Sequence, residues 1–114
     1  MSRDEALYLE DLLVSAKKVL RYTERMDRES FAGDERTYDA VVRNLEVMGE
    51  AAKHVSEATR TKYTNIPWRN IAGLRDVVAH AYFGLDDDLL WDIIANHVPS
   101  VVAELERIRA SGHG

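Results

Sequence analysis

Tyr38-Asp-Ala-Val-Val-Arg-Asn-Leu-Glu-Val-Met-Gly-Glu-Ala-Ala-Lys-His-Val55 carries the clearest structural signal in the chain. Tyr38, Val41, Val42, Leu45, Met48, Ala52 and Val55 recur at spacings of three and four, which puts them along one face of an α-helix. Arg43, Glu46, Glu50, Lys53 and Glu57 gather on the opposite, solvated side. A flanking strip of Ala40, Asn44, Val47 and Ala51 widens the apolar surface, so this helix should meet more than one neighbour. Asp34 stands where an N-cap belongs. Asn44 is open to two readings: a buried amide bonded to backbone, or a polar group with a part in chemistry.

Working outward, Leu9, Leu12, Leu13, Ala16, Val19 and Leu20 predict a helix from about Asp4 to Arg25. Met26 to Asp34 is polar and reads as a connection, with room for a short turn around Phe31. Thr59 to Ile66 is a second polar connection. Pro67 suits the first turn of a helix running to about Ala81, which Gly84 is placed to end. Asp86-Asp87-Asp88 favours the start of a last helix, whose stripe is Leu90, Ile93, Ile94, Val98, Val101, Val102, Leu105 and Ile108. Pro99 interrupts that stripe and predicts a kink or break near Val98. The expected fold is all-α, an antiparallel bundle of four to five helices. Residues 1–110 form its single domain and 111–114 a disordered tail.

Composition narrows the function. The chain has 114 residues, 46% of them hydrophobic and 31% charged, as in a globular domain with one modest core. Cysteine is absent, which removes disulfides, thiolate metal sites and cysteine nucleophiles. No stretch approaches the roughly 18 apolar residues of a membrane span, and no leader-type run opens the chain. A cytoplasmic protein is expected. The net charge of −5 argues against coating nucleic acid by bulk attraction. Yet Ala58 to Arg75 contains no acid while Arg60, Lys62, Arg69 and Arg75 are basic, which fits either a solvated surface or a local anion-binding face.

Chemistry concentrates in Ile71-Ala-Gly-Leu-Arg-Asp-Val-Val-Ala-His-Ala-Tyr82. On a helical wheel Ile71, Leu74, Val78 and Ala81 form the core stripe, with Arg75 and Tyr82 along its edge. A guanidinium there must find a partner or run its stem out to solvent. Asp76 and His80 lie four apart, so the carboxylate can reach the imidazole. Such a pair is either a surface contact or a catalytic dyad. Between these polar groups lie only Ala72 and Ala79, a seam small enough for another helix to approach. His54, His80, His97 and His113 show no metal-ligand spacing with acids, so neither metal nor cofactor is expected. Trp68 and Trp91 read as core or interface anchors.

Arg75-Asp-Val-Val-Ala-His80-Ala-Tyr82 resembles the R-x4-H-x-Y signature of HepT-like proteins, a branch of the HEPN superfamily. Tyr8-Leu-Glu-Asp-Leu-Leu, Arg43-Asn-Leu-Glu-Val-Met-Gly-Glu-Ala-Ala52, Ile66-Pro-Trp-Arg69, Tyr82-Phe-Gly84 and Trp91-Asp-Ile-Ile94 are similar to family segments in the same order. The resemblance implies a HEPN-like bundle that forms a homodimer, with the Arg–His motifs of two protomers facing across a cleft. It implies a metal-independent ribonuclease acting on RNA as the toxin of a toxin–antitoxin system. Arg75 would hold the scissile phosphate, His80 would be general acid or base, and Asp76 would orient His80. Asparagine is frequent where Asp76 stands, a mild departure. Tyr82 would be the site of AMPylation by a minimal nucleotidyltransferase antitoxin of the MNT type. Asn44, Glu46 and Glu50 fall in the second block as cleft-lining candidates. A non-catalytic subunit that docks on such a nucleotidyltransferase is the alternative, and the acidic net charge favours it.

Overall fold

The computed structural model describes residues 2–82 and 86–111, the side chains of residues 81 and 82 excepted. Gly84, Gly112, His113 and Gly114 lie outside the described residues, and with them the expected helix stop and most of the tail. Among the described residues every regular element is helical: α1 (Arg3–Tyr22), α2 (Arg28–Gly33), α3 (Glu35–Lys53), α4 (Glu57–Lys62), α5 (Trp68–Ala72), α6 (Leu74–Tyr82), α7 (Asp87–Asp92) and α8 (Val98–Ala110). A π-helical segment, Ile93–His97, joins α7 to α8. The all-α expectation is met by four long helical runs and two short helices.

The runs centre on α3. It packs along α1 and against α2, α5 and α6, so its two apolar strips do serve several neighbours. Val41, Val42, Leu45, Met48 and Ala52 are almost fully buried there. Burying each large aliphatic side chain contributes roughly 1.5–3 kcal/mol, which is what holds the bundle against chain entropy. Ala51, on the flanking strip, is 4% exposed and belongs to this core. Asp34 caps α3 by accepting from the Thr37 amide at 3.0 Å.

Four boundaries differ from the sequence reading. First, α1 ends at Tyr22 because the Thr23 hydroxyl bonds back to Val19 O at 2.8 Å. Arg25 then takes φ 67°, which no helix can continue. Second, the turn around Phe31 is the helix α2, closed by a reciprocal Asp27–Ser30 capping box, and its Phe31 is fully buried against Tyr38 and Trp91. Third, the polar stretch after Val55 contains α4, started by the Ser56 hydroxyl accepting from the Thr59 amide at 3.2 Å. Fourth, the helix expected from Pro67 to Ala81 is broken at Gly73. Gly73 donates to Arg69 O, and its own carbonyl accepts from Asp76 three residues on, a tightened turn that restarts the helix as α6.

The acidic run divides its work among three contacts. Asp86 caps α7 through the Leu89 amide. Asp87 accepts from the Tyr38 hydroxyl at 2.8 Å, and burial followed by that bond pushes the phenol up to about 12. Asp88 pairs with Arg28 of α2. The break expected near Val98 takes the form of the π segment. Proline at 99 has no N–H for the carbonyl four residues back, and its ring crowds that carbonyl. Widening the turn relieves both, with the Val98 amide bonding to Ile93 O. No helix among the described residues is long and apolar enough to cross a membrane.

Candidate functional site

Packing of α6 on α3 decides which side chains reach solvent. Ile71, Leu74 and Val78 are buried, as the wheel predicts, and that leaves Arg75, Asp76, Ala79 and His80 exposed. The two helices meet at Gly49. A Cβ there would stand 3.2 Å from Ile71 O and 3.3 Å from Arg75 Cγ, so the glycine lets α6 come this close. Directly beside it, Arg75 Nη1 donates to Glu50 Oε2 at 3.0 Å. The other carboxylate oxygen of Glu50 lies 3.5 Å from His54 Nε2, and the His54 ring stacks on Tyr8 at 4.5 Å. Arg75 is therefore the end of a chain of contacts running from α1 through α3 to α6.

His80 is held differently. Its Nδ1 lies 2.7 Å from the backbone carbonyl of Asp76. A carbonyl can only accept, so Nδ1 carries the proton and Nε2 keeps a lone pair when the ring is neutral. The sequence suggested that the Asp76 carboxylate would reach the ring. Asp76 does fix the imidazole, but through its main chain. His80 lines a cleft of about 400 Å³ together with Asp76, Val77, Asp86 and Leu89. That space opens where α6 faces the N-terminal end of α7, so the cap residue Asp86 is part of the same wall.

Arg75 does not line that cleft. Five residues at about 100° each turn it roughly 140° around α6 from His80. The structure brings Arg75 to Glu50 and His80 to Asp76, but it does not bring the two pairs into one cavity within a single chain. Of the other candidates, Asn44 and Glu46 are both half-buried, and the Asn44 amide donates to Ala40 O at 2.8 Å. Tyr82 is the last residue of α6, and its side chain lies outside the described residues. The acid-free stretch is not one patch. Arg60 caps α3 through Ala52 O at 2.9 Å, Lys62 sits over the Tyr63 ring, and Arg75 is paired. Among those four cations, Arg69 alone has no acid, ring or backbone carbonyl beside its side chain among the described residues.

Sequence reasoning missed Gly49, His54 and Tyr8. Gly49 did carry a signal, since glycine inside a helix costs about 1 kcal/mol relative to alanine and its presence there calls for a close neighbour. The Tyr8–His54 stack had none, because it joins helices 46 residues apart in the chain.

Residues 12–108 match the family described as ribonuclease HepT-like. The chain belongs to the HepT-like ribonuclease family. It is 40% identical over 106 residues to "Putative RNase MJ0127" of Methanocaldococcus jannaschii, covering 93% of this chain and 88% of that one. It is 36% identical over 109 residues to "Probable ribonuclease HepT" of Thermococcus cleftensis, covering 96% and 99%. No solved structure matches the chain. In this HepT-like chain Arg75, His80 and Tyr82 all fall on α6, in its first turn, its second turn and at its last residue.

Proposed function

We propose that this HepT-like protein is an endoribonuclease toxin, active as a homodimer, whose partner nucleotidyltransferase silences it by adenylating Tyr82. The observation that carries the chemistry is the bond from His80 Nδ1 to the Asp76 carbonyl. It presents Nε2 as a base in the neutral ring. His80 Nε2 takes the proton of a ribose 2′-hydroxyl, and the 2′-oxygen attacks the adjacent phosphorus. The P–O5′ bond breaks as a 2′,3′-cyclic phosphate forms, and the 5′-oxygen leaves with a proton from an imidazolium. Arg75 supplies a fixed cation for the phosphate oxygens as charge builds on them. No metal enters this scheme.

The angular separation of Arg75 and His80 supports the dimer. A phosphate held by both is reached most simply when a second protomer places its own Arg75 beside the first protomer's His80. The half-buried Ala40, Val47 and Ala72 and the exposed Ala79 are the small and apolar positions left on α3, α5 and α6 to receive that copy. The role of Tyr82 rests on the family motif. Its hydroxyl oxygen would attack the α-phosphorus of ATP, releasing pyrophosphate and leaving AMP on the ring. The added phosphodiester brings negative charge next to the motif and competes for Arg75.

The test is cleavage of RNA by purified protein in the presence of EDTA. His80→Ala and Arg75→Ala should each lower the rate by about 10²–10³-fold while retaining the wild-type melting temperature. Products should end in 2′,3′-cyclic phosphate. Tyr82→Phe should stay active but gain no adenylate mass when incubated with the partner enzyme and ATP. Wild-type rates in both motif variants would favour the non-catalytic docking subunit instead. Adenylation of Tyr82→Phe would move the modification elsewhere.

A further inference from the structure

A second hollow opens on the other side of Val77 from His80. It has a volume of about 370 Å³, within the range of about 300–1,000 Å³ of small-molecule pockets. Its floor is apolar, built from Leu74, Val77 and Val98, and its rim carries Arg69, Asn70 and His97. Val77 lines both hollows, so the trough is the immediate neighbour of the His80 cleft along α6. None of the described residues lining it is acidic, in a chain whose net charge is −5.

The rim groups are available. Neither the Arg69 guanidinium nor the Asn70 amide bonds to another described residue. His97 is held from behind by Asp92, whose carboxylate lies 3.2 Å from Nε2. The Asn96 amide and then His97 keep that carboxylate below its ordinary range, so Asp92 stays charged and favours the proton on Nε2. That leaves Nδ1 of a neutral His97 as an acceptor. The ring owes its position to the π segment, which ends at His97 and shifts the helix register there.

We infer that this trough is a base-binding subsite for the RNA chain, holding a nucleotide next to the one cut at His80. The inference rests on the ribonuclease reading of the His80 cleft and names how that site chooses its substrate. The apolar floor takes the flat face of a base, while Asn70, donor and acceptor at once, and His97 meet its polar edge. Arg69 takes the neighbouring phosphate. A second copy of the chain would also find an apolar floor attractive. It gains nothing specific from an unpaired arginine, an unpaired amide and a place beside the His80 cleft.

Binding is measured with the full chain carrying His80→Ala, so that bound RNA is not cut. The probes are fluorescently labelled ten-nucleotide oligomers of A, U or C, read by anisotropy, with sedimentation mass recorded in parallel. Arg69→Ala in that background should weaken all three oligomers about equally, by roughly tenfold, and reduce the salt dependence by about one phosphate contact. Asn70→Ala should level the affinities of the three oligomers. Asn70→Trp, which fills the trough from an exposed position, should remove most of the binding. Sedimentation mass should not change. Affinities equal to the His80→Ala parent in all three variants would overturn the inference. So would a change in sedimentation mass, because the trough would then seat a second copy. If the wild-type chain cuts no RNA yet the three variants behave as expected, the catalytic reading fails and the subsite stands.

Discussion

Replacing Gly49 tests whether the closeness of α3 and α6 sets the position of Arg75. Alanine adds one atom, 3.2 Å from Ile71 O and 3.3 Å from Arg75 Cγ, so α6 must give by a few tenths of an ångström. Alanine also gains about 0.5–1 kcal/mol over glycine in a helix, which offsets most of that crowding. Gly49→Ala should therefore change stability by less than about 1 kcal/mol. Leucine adds three further heavy atoms at a buried position walled by the Ile71 carbonyl and the Arg75 amide, which cannot rotate away. Overpacking of this kind costs about 1–3 kcal/mol. At about 4 °C per kcal/mol for a chain of this size, Gly49→Leu should melt roughly 4–12 °C below wild type. Its RNA cleavage should fall further than its stability does, since a misplacement of about 1 Å in a catalytic cation can cost about 10²-fold. The assay is thermal unfolding followed by circular dichroism, with cleavage measured well below the transition. Gly49→Leu with wild-type melting and wild-type rate would refute the reasoning, because nothing would then depend on the approach at Gly49.

Two further changes probe the scaffold. Phe31→Ala removes a fully buried ring stacked on Tyr38 at 5.2 Å, and should cost about 3–5 kcal/mol although its helix has only six residues; a loss under about 1 kcal/mol in urea titration would mean that α2 does not anchor the bundle. Glu5→Gln addresses pH dependence. Burial works against the Glu5 charge, but hydrogen bonds from the Ser56 amide, the Ser56 hydroxyl and the Thr59 hydroxyl outweigh it and hold the carboxyl below its ordinary 4.5. A lowered folded value means stability present above pH 4.5 and lost as pH falls through the folded pKa. The wild type should thus out-melt Glu5→Gln at pH 7 and lose that advantage on acidification below 4.5; a constant difference down to pH 3 would show that Glu5 is not the group responsible.

What was legible in the sequence follows the physics of each signal. Long amphipathic periods announce themselves, so α1, α3 and the α7–α8 run stood out, as did the perturbation at Pro99. Helices of six residues contain too few turns to show a period. The short helices α2 and α4 are set instead by side-chain caps at Asp27 and Ser56, each three residues from its hydroxyl partner. Such caps are visible in sequence only to a reader who does not first require an apolar stripe. Gly73 was read through because a glycine near helix centre is permitted as often as it is disruptive. The consequence was a wheel drawn through a break, which still put the buried face of α6 correctly because Leu74 and Val78 lie on one side of it.

The site was legible to the degree that it is local. Asp76 and His80 lie one turn apart on α6, and spacing alone brought them together, even though the bond uses the main chain. The partner of Arg75 is 25 residues away, and only the packing at Gly49 selects Glu50 from the charged face of α3. That pair also bears on how the protein would treat RNA. Both side chains are about half exposed, so the ion pair adds little to stability, at most about 1 kcal/mol. A phosphate competing for the guanidinium therefore displaces Glu50 at small cost. On the proposed reading Glu50 would provide direction, since its carboxylate holds the Arg75 cation against α3. Glu50 would then be a positioning residue for Arg75, as the Asp76 carbonyl would be the positioning group for His80. On the proposed ribonuclease reading, the acidic surface of the chain need not oppose RNA binding, because Arg75 and His80 would meet the phosphate and each is held by a single contact.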